Sequence, residues 1–316
     1  MTHPREVIII GGGLAGLSAA IYLGRGKRDT LLIHSGRSMA KWEPEVQNYP
    51  GFSDGIAGAE LLNRCMDQAA RFEVEIVEDE MESLTKQNGT FHLRGVKTSY
   101  LAKRVLLATG LTHLPPEIPG VRECLGTSLF FCKDCDAFRL QGKRIIIIGR
   151  NNEAADYALG MLLFTPHVMV ATNGEDVLWD DDRAGWLEEY GIHVRHETIQ
   201  RLEHEDGQVH SLVFARGEPV QVEAMFTTRG DVCHNTLAEE VGARLDAEGQ
   251  IRVDACMETT VPGLYAAGCV TPGNCQMVIA AGQGATAAQA INRDLFDESL
   301  RQHALPRKGK PSPIPT

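Results

Sequence analysis

Positive charge is scarce in this chain. Lysine and arginine total 31 against 42 acidic residues, a formal net charge of −11. Nucleic-acid binders gather Lys and Arg on one face, so this balance argues against a nucleic-acid partner. It suits a soluble protein that meets a basic patch on a protein partner. The one basic cluster is Arg307, Lys308 and Lys310, in a Pro-rich tail. Long apolar runs are also missing: none approaches the ~20 residues that span a bilayer. No basic stretch or small-residue cleavage site marks the N-terminus as a secretory leader, and the apolar run at residues 7–10 reads as a strand. A cytoplasmic location without a membrane partner is the expectation. Metal-ligand spacing is the third absence. The eight cysteines are Cys65, Cys124, Cys132, Cys135, Cys233, Cys256, Cys269 and Cys275. Only Cys132 and Cys135 are spaced C-x-x-C, and no second pair or His pair stands near to complete a zinc site. No metal is expected.

What is present is an α/β pattern. A chain of 316 residues that is 43% hydrophobic has material for two cores, at about 150 residues per domain. Residues 7–10 form a buried-type strand, followed by a glycine turn and a helix. A second strand-like run covers residues 30–34, and residues 35–54 read as loop, broken by Pro44, Pro50 and Gly51. A helix is expected over 58–72, with strands near 74–77, 90–94 and 104–108. Beyond a link rich in proline (Pro115, Pro116, Pro119) the pattern restarts at Lys143. Val7 matches Ile145, Ile10 matches Ile148, Gly11 matches Gly149 and Ala20 matches Ala158, a constant offset of 138 residues (7 to 145). Two copies of one strand-turn-helix unit predict two Rossmann-like, three-layer dinucleotide-binding domains. The small-residue run from Ala280 reads as a helix packed closely on a neighbour, returning the chain to the first domain. The second domain is then inserted in the first: residues 1–113, 114–237 and 238–316.

Two motifs carry chemistry. Gly11-x-Gly13-x-x-Gly16 lies between a strand and a helix. Gly11 permits the tight turn, Gly13 lets a pyrophosphate reach the backbone, and Gly16 lets helix and strand pack closely. The helix N-terminus then faces the phosphates. The alternative is a glycine turn in an ordinary α/β sheet. The acidic ribose ligand expected about 20 residues on is absent, because Ile33, His34 and Ser35 stand there; His34 reads as an exposed loop histidine. The second motif is Cys132-Lys133-Asp134-Cys135-Asp136. Its sulfurs can close a small disulfide ring, Lys133 favours a thiolate, and Asp136 is placed to move a proton. A half zinc site or two inert thiols are the alternatives.

Taken together, these segments resemble the low-molecular-weight thioredoxin reductase family over nearly the whole chain. The matching residues are Gly11-Gly12-Gly13-Leu14-Ala15-Gly16, Val46-Gln47-Asn48-Tyr49-Pro50-Gly51, Ala108-Thr109-Gly110, Cys132-x-x-Cys135-Asp136, Gly263-Leu264-Tyr265-Ala266-Ala267-Gly268, and Gln276 with Ala280-Ala281-Gly282. The resemblance implies that Cys135 sits against the flavin of an FAD, that Cys132 attacks the partner's disulfide, and that Asp136 is the acid-base residue. It implies that Asn48, Thr109, Gly110, Gly268 and Gln276 line the FAD, and Met277 and Val278 follow Gln276 as further candidates. It also implies a homodimer, NADPH as donor and thioredoxin as acceptor.

The chain departs from that family in both nucleotide sites. Asn151 replaces a glycine, Arg150 and Asn152 flank it, and Glu153 adds negative charge where phosphates would lie. Thr172-Asn173-Gly174-Glu175 replaces the His-Arg-Arg that grips a 2′-phosphate, so a bidentate contact is lost. Weak or absent NADPH use is expected, with Gly149, Arg150, Asn151, Asn152, Glu153 and Asn173 as the altered site. That site is either empty, with a protein donor such as ferredoxin, or holds a second FAD, as in the diaflavin-linked disulfide oxidoreductases that this pattern resembles. On the first-domain side, Cys269 replaces an aspartate and Cys275 an arginine. They read as small buried residues, with a mutual redox pair as the alternative. Arg37-Ser38-Met39-Ala40 replaces a Gly-rich segment, and Trp42 beyond it is a candidate to stack on the cofactor or simply to pack. The acceptor is expected to be a thioredoxin-like protein or a small dithiol. Competing readings are an NADPH-dependent thioredoxin reductase, a dithiol oxidase passing electrons to oxygen, and a non-catalytic sensor. The intact Cys132, Cys135 and Asp136 oppose the last.

Overall fold

The computed structural model describes residues 3–305. The basic cluster of Arg307, Lys308 and Lys310 lies outside them. Strand β1 (Arg5–Ile10) leads through the glycine turn into helix α1 (Leu14–Arg25), and β2 (Thr30–His34) follows. After a 3-10 turn at Met39–Trp42 come α2 (Gly58–Ala70), β3 (Glu75–Glu78), β4 (Met81–Gln87), β5 (Thr90–Gly95), β6 (Ser99–Leu107) and the short β7 (Leu111–His113). Next are β8 (Leu129–Phe130), α3 (Lys133–Asp136), β9 (Ile145–Ile148), α4 (Asn152–Met161), β10 (Val168–Ala171), α5 (Asp181–Glu189) and β11 (His193–Arg195). An antiparallel set β12 (Ile199–Glu205), β13 (Gln208–Phe214) and β14 (Val220–Gln221) precedes β15 (Ala224–Thr227). The chain closes with β16 (Asp231–Cys233), α6 (Thr236–Glu240), β17 (Leu264–Ala266) and α7 (Met277–Arg301).

The chain divides into two compact units. The first comprises residues 1–38, 62–110 and 233–316; the second comprises 39–61 and 111–232. Residues 39–61 therefore group with the second unit, whereas the expected division placed them in the first. Their contacts explain this: Trp42 meets Phe131 at 6.5 Å between ring centroids, and the Trp42 carbonyl lies so close to Gly126 that a Cβ there would sit 2.3 Å away.

In the first unit, the sheet order is β3-β2-β1-β6-β5-β4, with β17 also on β6. The nine-residue β6 explains the mixed character. Its first half pairs antiparallel with β5, and its second half pairs parallel with β17 at Val105, Leu106 and Leu107. Residues buried on one face of these strands, including Ile8, Ile10, Leu31, Ile33, Phe91 and Val105, form one core. The all-apolar runs of β1 and β2 are what a strand covered on both faces requires. On the other face, α7 closes onto α1 because both present small residues: a Cβ on Gly284 would lie 2.0 Å from the Ala15 carbonyl oxygen. Helix α7 begins at Met277, three residues ahead of the Ala280 read from the sequence.

Within the second unit, five parallel strands run β11-β10-β9-β15-β8. Ile146 and Ile148 of β9 point into one core and Ile145 and Ile147 into another, so both faces are covered. The repeat holds down to register. Val7 pairs with Thr30 in the first unit, and Ile145 with Val168 in the second, each pair one offset of 138 apart.

Candidate functional site

At the first glycine turn, Gly11 has φ +122°, and a Cβ on it would lie 2.1 Å from the Ala108 carbonyl oxygen. Only glycine fits. Gly16 is equally constrained, since its Cβ would lie 1.9 Å from the Gly11 carbonyl oxygen. Gly13 is different: a Cβ there would meet only Ser38 Oγ, at 4.0 Å. Gly13 is the N-cap of α1 and supplies no side-chain cap, and no acidic residue stands in the first turn, which opens with Leu14 and Ala15. Backbone N–H groups at such a helix start suit a pyrophosphate. Gly12 rests on His34, whose Cβ would be 2.8 Å from a Cβ at Gly12; His34 Nδ1 accepts the Gly36 N–H at 3.1 Å. His34 thus ends β2 beneath the turn, and is not the exposed loop residue expected.

The turn shares its end of the sheet with the other first-unit candidates. Leu107 pairs with Ile10 on one side and Ala266 on the other, so β1, β6 and β17 end in one row. The chain leaves that row into Gly11, into Thr109-Gly110, and into Gly268-Cys269. Ligands bind at this carboxyl edge in α/β sheets. Gly110 has φ +67° and open space at its Cβ position, while Thr109 Oγ1 donates to the His234 carbonyl at 2.6 Å. Gly268 has φ +83° and packs on Ala15, and its N–H donates to Gln283 Oε1 at 2.8 Å. Gln276 is the N-cap of α7, and Met277 and Val278 open that helix. These residues fit a dinucleotide: an open helix start with no acidic residue in its first turn, and glycines at close approach. Trp42 and Asn48, expected in the same cofactor set, group with the second unit; Trp42 is 38% exposed and tilted against Phe131.

The largest surprise here is sulfur. Cys269 and Cys275 are joined by a disulfide, both half-buried. The reading of two small buried residues is corrected. The five residues between them turn back through Pro272-Gly273-Asn274, which the spacing alone did not reveal.

The second glycine turn is filled by the protein itself. Gly149 lacks the positive φ of Gly11. Asn151, the N-cap of α4, accepts the Ala154 N–H on its own Oδ1 at 3.2 Å, and Thr228 Oγ1 donates to the same oxygen at 3.1 Å. Arg150 is engaged by Glu175 at 2.9 Å, and Arg229 reaches the same carboxylate at 2.6 Å. Asn152 donates to Asp180 Oδ2 at 3.1 Å and accepts the Asp180 N–H. Asn173, at φ +54°, accepts the Ile199 N–H at 2.7 Å. Glu153 stands in the first turn of α4, and burial, followed by the charge of Asp231, pushes its carboxyl up. The residues present do not fit a pyrophosphate.

The Cys132–Cys135 disulfide opens α3 in the second unit, and both cysteines are half-buried. Cys132 Sγ accepts the Cys135 N–H at 3.1 Å, a bond that would also favour a thiolate on Cys132. Asp136 is buried, at 2% exposure. Burial pushes its carboxyl up, and the paired Arg139 guanidinium opposes this without cancelling it. Lys133 pairs with Asp134, so its charge is shared rather than aimed at sulfur alone. Sequence reading missed the surroundings. His113 stacks on Phe131 with ring centroids 4.8 Å apart, Glu43 is raised by burial and then by Asp136, and the Tyr157 hydroxyl donates to the Phe131 carbonyl at 3.1 Å. Burial pushes the Tyr157 hydroxyl up to about 12. These residues come from four separate stretches of chain, and no local spacing links them. Among the described residues, no cluster of His, Cys, Asp and Glu could hold a metal ion.

The family model described as pyridine nucleotide-disulphide oxidoreductase matches residues 5–287. A thioredoxin reductase from Treponema pallidum is 31% identical, over 90% of this chain and 95% of that one. Among solved structures, a thioredoxin reductase TrxB from Bacillus anthracis, described there as putative, is 30% identical with a TM-score of 0.86, covering 93% and 99% of the two chains. The structure of HlmI is 28% identical with a TM-score of 0.90, covering 96% of each.

Proposed function

Because this chain belongs to the pyridine nucleotide-disulphide oxidoreductase family, in its low-molecular-weight thioredoxin reductase-like branch, we propose that it works without NADPH. The chain is a thioredoxin reductase-like flavoprotein disulfide oxidoreductase with FAD as cofactor. In our reading, electrons pass between that FAD and the Cys132–Cys135 pair, with a thioredoxin-like protein or small dithiol as partner. A protein such as ferredoxin takes the place of the nicotinamide as donor. A homodimer in the cytoplasm belongs to the same reading.

One observation carries the proposal: Asn151 occupies the amide of α4 that a phosphate would use. Glu153 stands in the same first turn, and Glu175 engages both Arg150 and Arg229, the cations a phosphate there would need. Lost charge-assisted bonds cost about 1.5–3 kcal/mol each. The same argument weighs against a second FAD, which also needs its pyrophosphate seated, and favours the version with no dinucleotide in this turn.

FAD, when bound, supplies a two-electron carrier. The residues of the chain handle sulfur and protons. Cys132, with the Cys135 N–H on its sulfur, is the sulfur that attacks the partner's disulfide. Cys135 then attacks Cys132, and the partner leaves as a dithiol while the Cys132–Cys135 bond reforms. Asp136 holds a proton to higher pH than an exposed carboxyl and gives it to the departing thiolate. Arg139 keeps that carboxyl oriented.

Anaerobic mixing of the oxidised protein with NADPH tests this reading, followed by release and counting of flavin. No bleaching of the flavin absorbance and one FAD per chain are expected. Rapid bleaching by NADPH overturns the proposal; two FAD per chain restores the two-flavin version.

A further inference from the structure

The disulfide between Cys269 and Cys275 lies at the carboxyl edge of the first sheet, outside the C-x-x-C. Cys269 follows Gly268, which packs on Ala15 of the dinucleotide turn. Cys275 precedes Gln276, the N-cap of the 25-residue α7. That N-cap makes no side-chain hydrogen bond to the helix, and no acidic residue stands in the first turn. The positive end of a long helix stabilises a thiolate next to it, so Cys275 is the better leaving sulfur.

A structural staple is a poor account of this bond. Its loop is already held: the Thr271 hydroxyl donates to the Gly268 carbonyl at 2.8 Å, and the Ile251 N–H donates to the Val270 carbonyl at 2.8 Å. Short loops also gain least from closure. Both sulfurs are half-buried beneath the exposed tip Pro272-Gly273-Asn274, a setting that admits a small thiol.

We propose that Cys269–Cys275 is a second thiol–disulfide exchange site, at the rim of the dinucleotide turn, and that a low-molecular-weight dithiol is its reductant. The dithiol's thiolate attacks Cys269 Sγ, the S–S bond breaks, and Cys275 leaves as a thiolate and takes up a proton. The dithiol's second thiol then attacks its own mixed-disulfide sulfur, and Cys269 departs as a thiol. The dithiol loses two electrons and two protons, which end on Cys269 and Cys275. The exchange needs neither Cys132 nor an answer to the NADPH question.

The test uses FAD-loaded protein carrying Cys132→Ser and Cys135→Ser. Free thiols (Cys65, Cys124, Cys233 and Cys256) are first blocked with N-ethylmaleimide. Graded dithiothreitol follows, then iodoacetamide and peptide mass analysis, with circular dichroism recorded throughout. Cys269 and Cys275 should become labelled together in the native fold, and Cys275 should react several-fold faster at neutral pH, because the α7 N-terminus favours its thiolate. A pair that opens only when the fold melts, or a faster Cys269, overturns the inference. The wild-type chain gives the same readout if the double variant does not fold, because the Cys269–Cys275 pair lies on one tryptic peptide, apart from Cys132 and Cys135, and fragmentation of that peptide assigns each label. Loss of exchange at Cys132–Cys135 alone would instead count against the proposed function.

Discussion

The two glycine turns share strand, register and helix, yet one is open and the other closed. The Gly11 N–H donates to the Ile33 carbonyl at 2.8 Å, and 138 residues on the Gly149 N–H donates to Ala171 at 3.0 Å. Gly13 and Asn151 hold equivalent N-cap positions with nearly the same backbone, φ −82° against −101°. The difference is a side chain. Where Gly13 leaves the α1 amides to a ligand, Asn151 satisfies its own helix. Further down, Gly16 must be glycine because Gly11, at φ +122°, turns its carbonyl toward the helix; at Gly149 the backbone differs and Ala154 is tolerated. The fold at the second turn does not depend on a ligand for its helix start, since the core and the helix start are stabilised separately.

Converting one turn into the other gives the largest effect. Gly13→Asn should self-cap α1 and expel the cofactor without unfolding the chain, because its Cβ has room. Flavin per chain should fall to near zero, with FAD affinity down by at least ~10²-fold from two charge-assisted bonds. Full flavin content in this variant breaks the comparison. Asp136→Asn probes the chemistry of the second unit. Dithiol exchange should slow by about 10²-fold. The wild-type rate should fall as pH rises through the raised pKa of Asp136, because the acid form is lost there, and stopped-flow profiles of the variant should lack that limb. Asn151→Ala removes the cap on α4 and should cost about 1 kcal/mol, read as a lower urea midpoint at unchanged slope. The smallest effect belongs to Asn151→Gly. Stability should drop by only a few tenths of a kcal/mol, and calorimetry should show no gain in NADPH binding, because Glu153 and Glu175 remain.

Much of this was readable in the chain. The β1-α1-β2 and β9-α4-β10 units follow from apolar runs against glycine punctuation, and the β2 bounds agree with the strand read at 30–34. Asn151 and Glu153 stood out in the sequence as departures at the second glycine turn. The placement of residues 39–61, by contrast, rests on Trp42 and Gly126, 84 positions apart in sequence (42 to 126), and no local pattern encodes that contact. The pairing of Asp136 with Arg139 sits at helical spacing and was there to be seen. The stacking of His113 on Phe131 was not.

The boundary between the two kinds of knowledge is physical. Composition, the 138-residue repeat, the glycine spacings and the C-x-x-C are local or periodic, and short-range sterics turn such patterns into strands, turns and helix starts. From these the sequence by itself determined the α/β class, the two Rossmann-like units and the C-x-x-C pair. Which sulfurs meet and which carboxyl loses its water depend on parts of the chain brought together by folding. Cys269 finds Cys275 because the chain turns back between the end of β17 and the start of α7. Asp136 is raised only because packing removes its solvent. Asn151 shuts its turn with an Oδ1 that takes both the Ala154 N–H of its own helix and the hydroxyl of Thr228, 77 positions on (151 to 228).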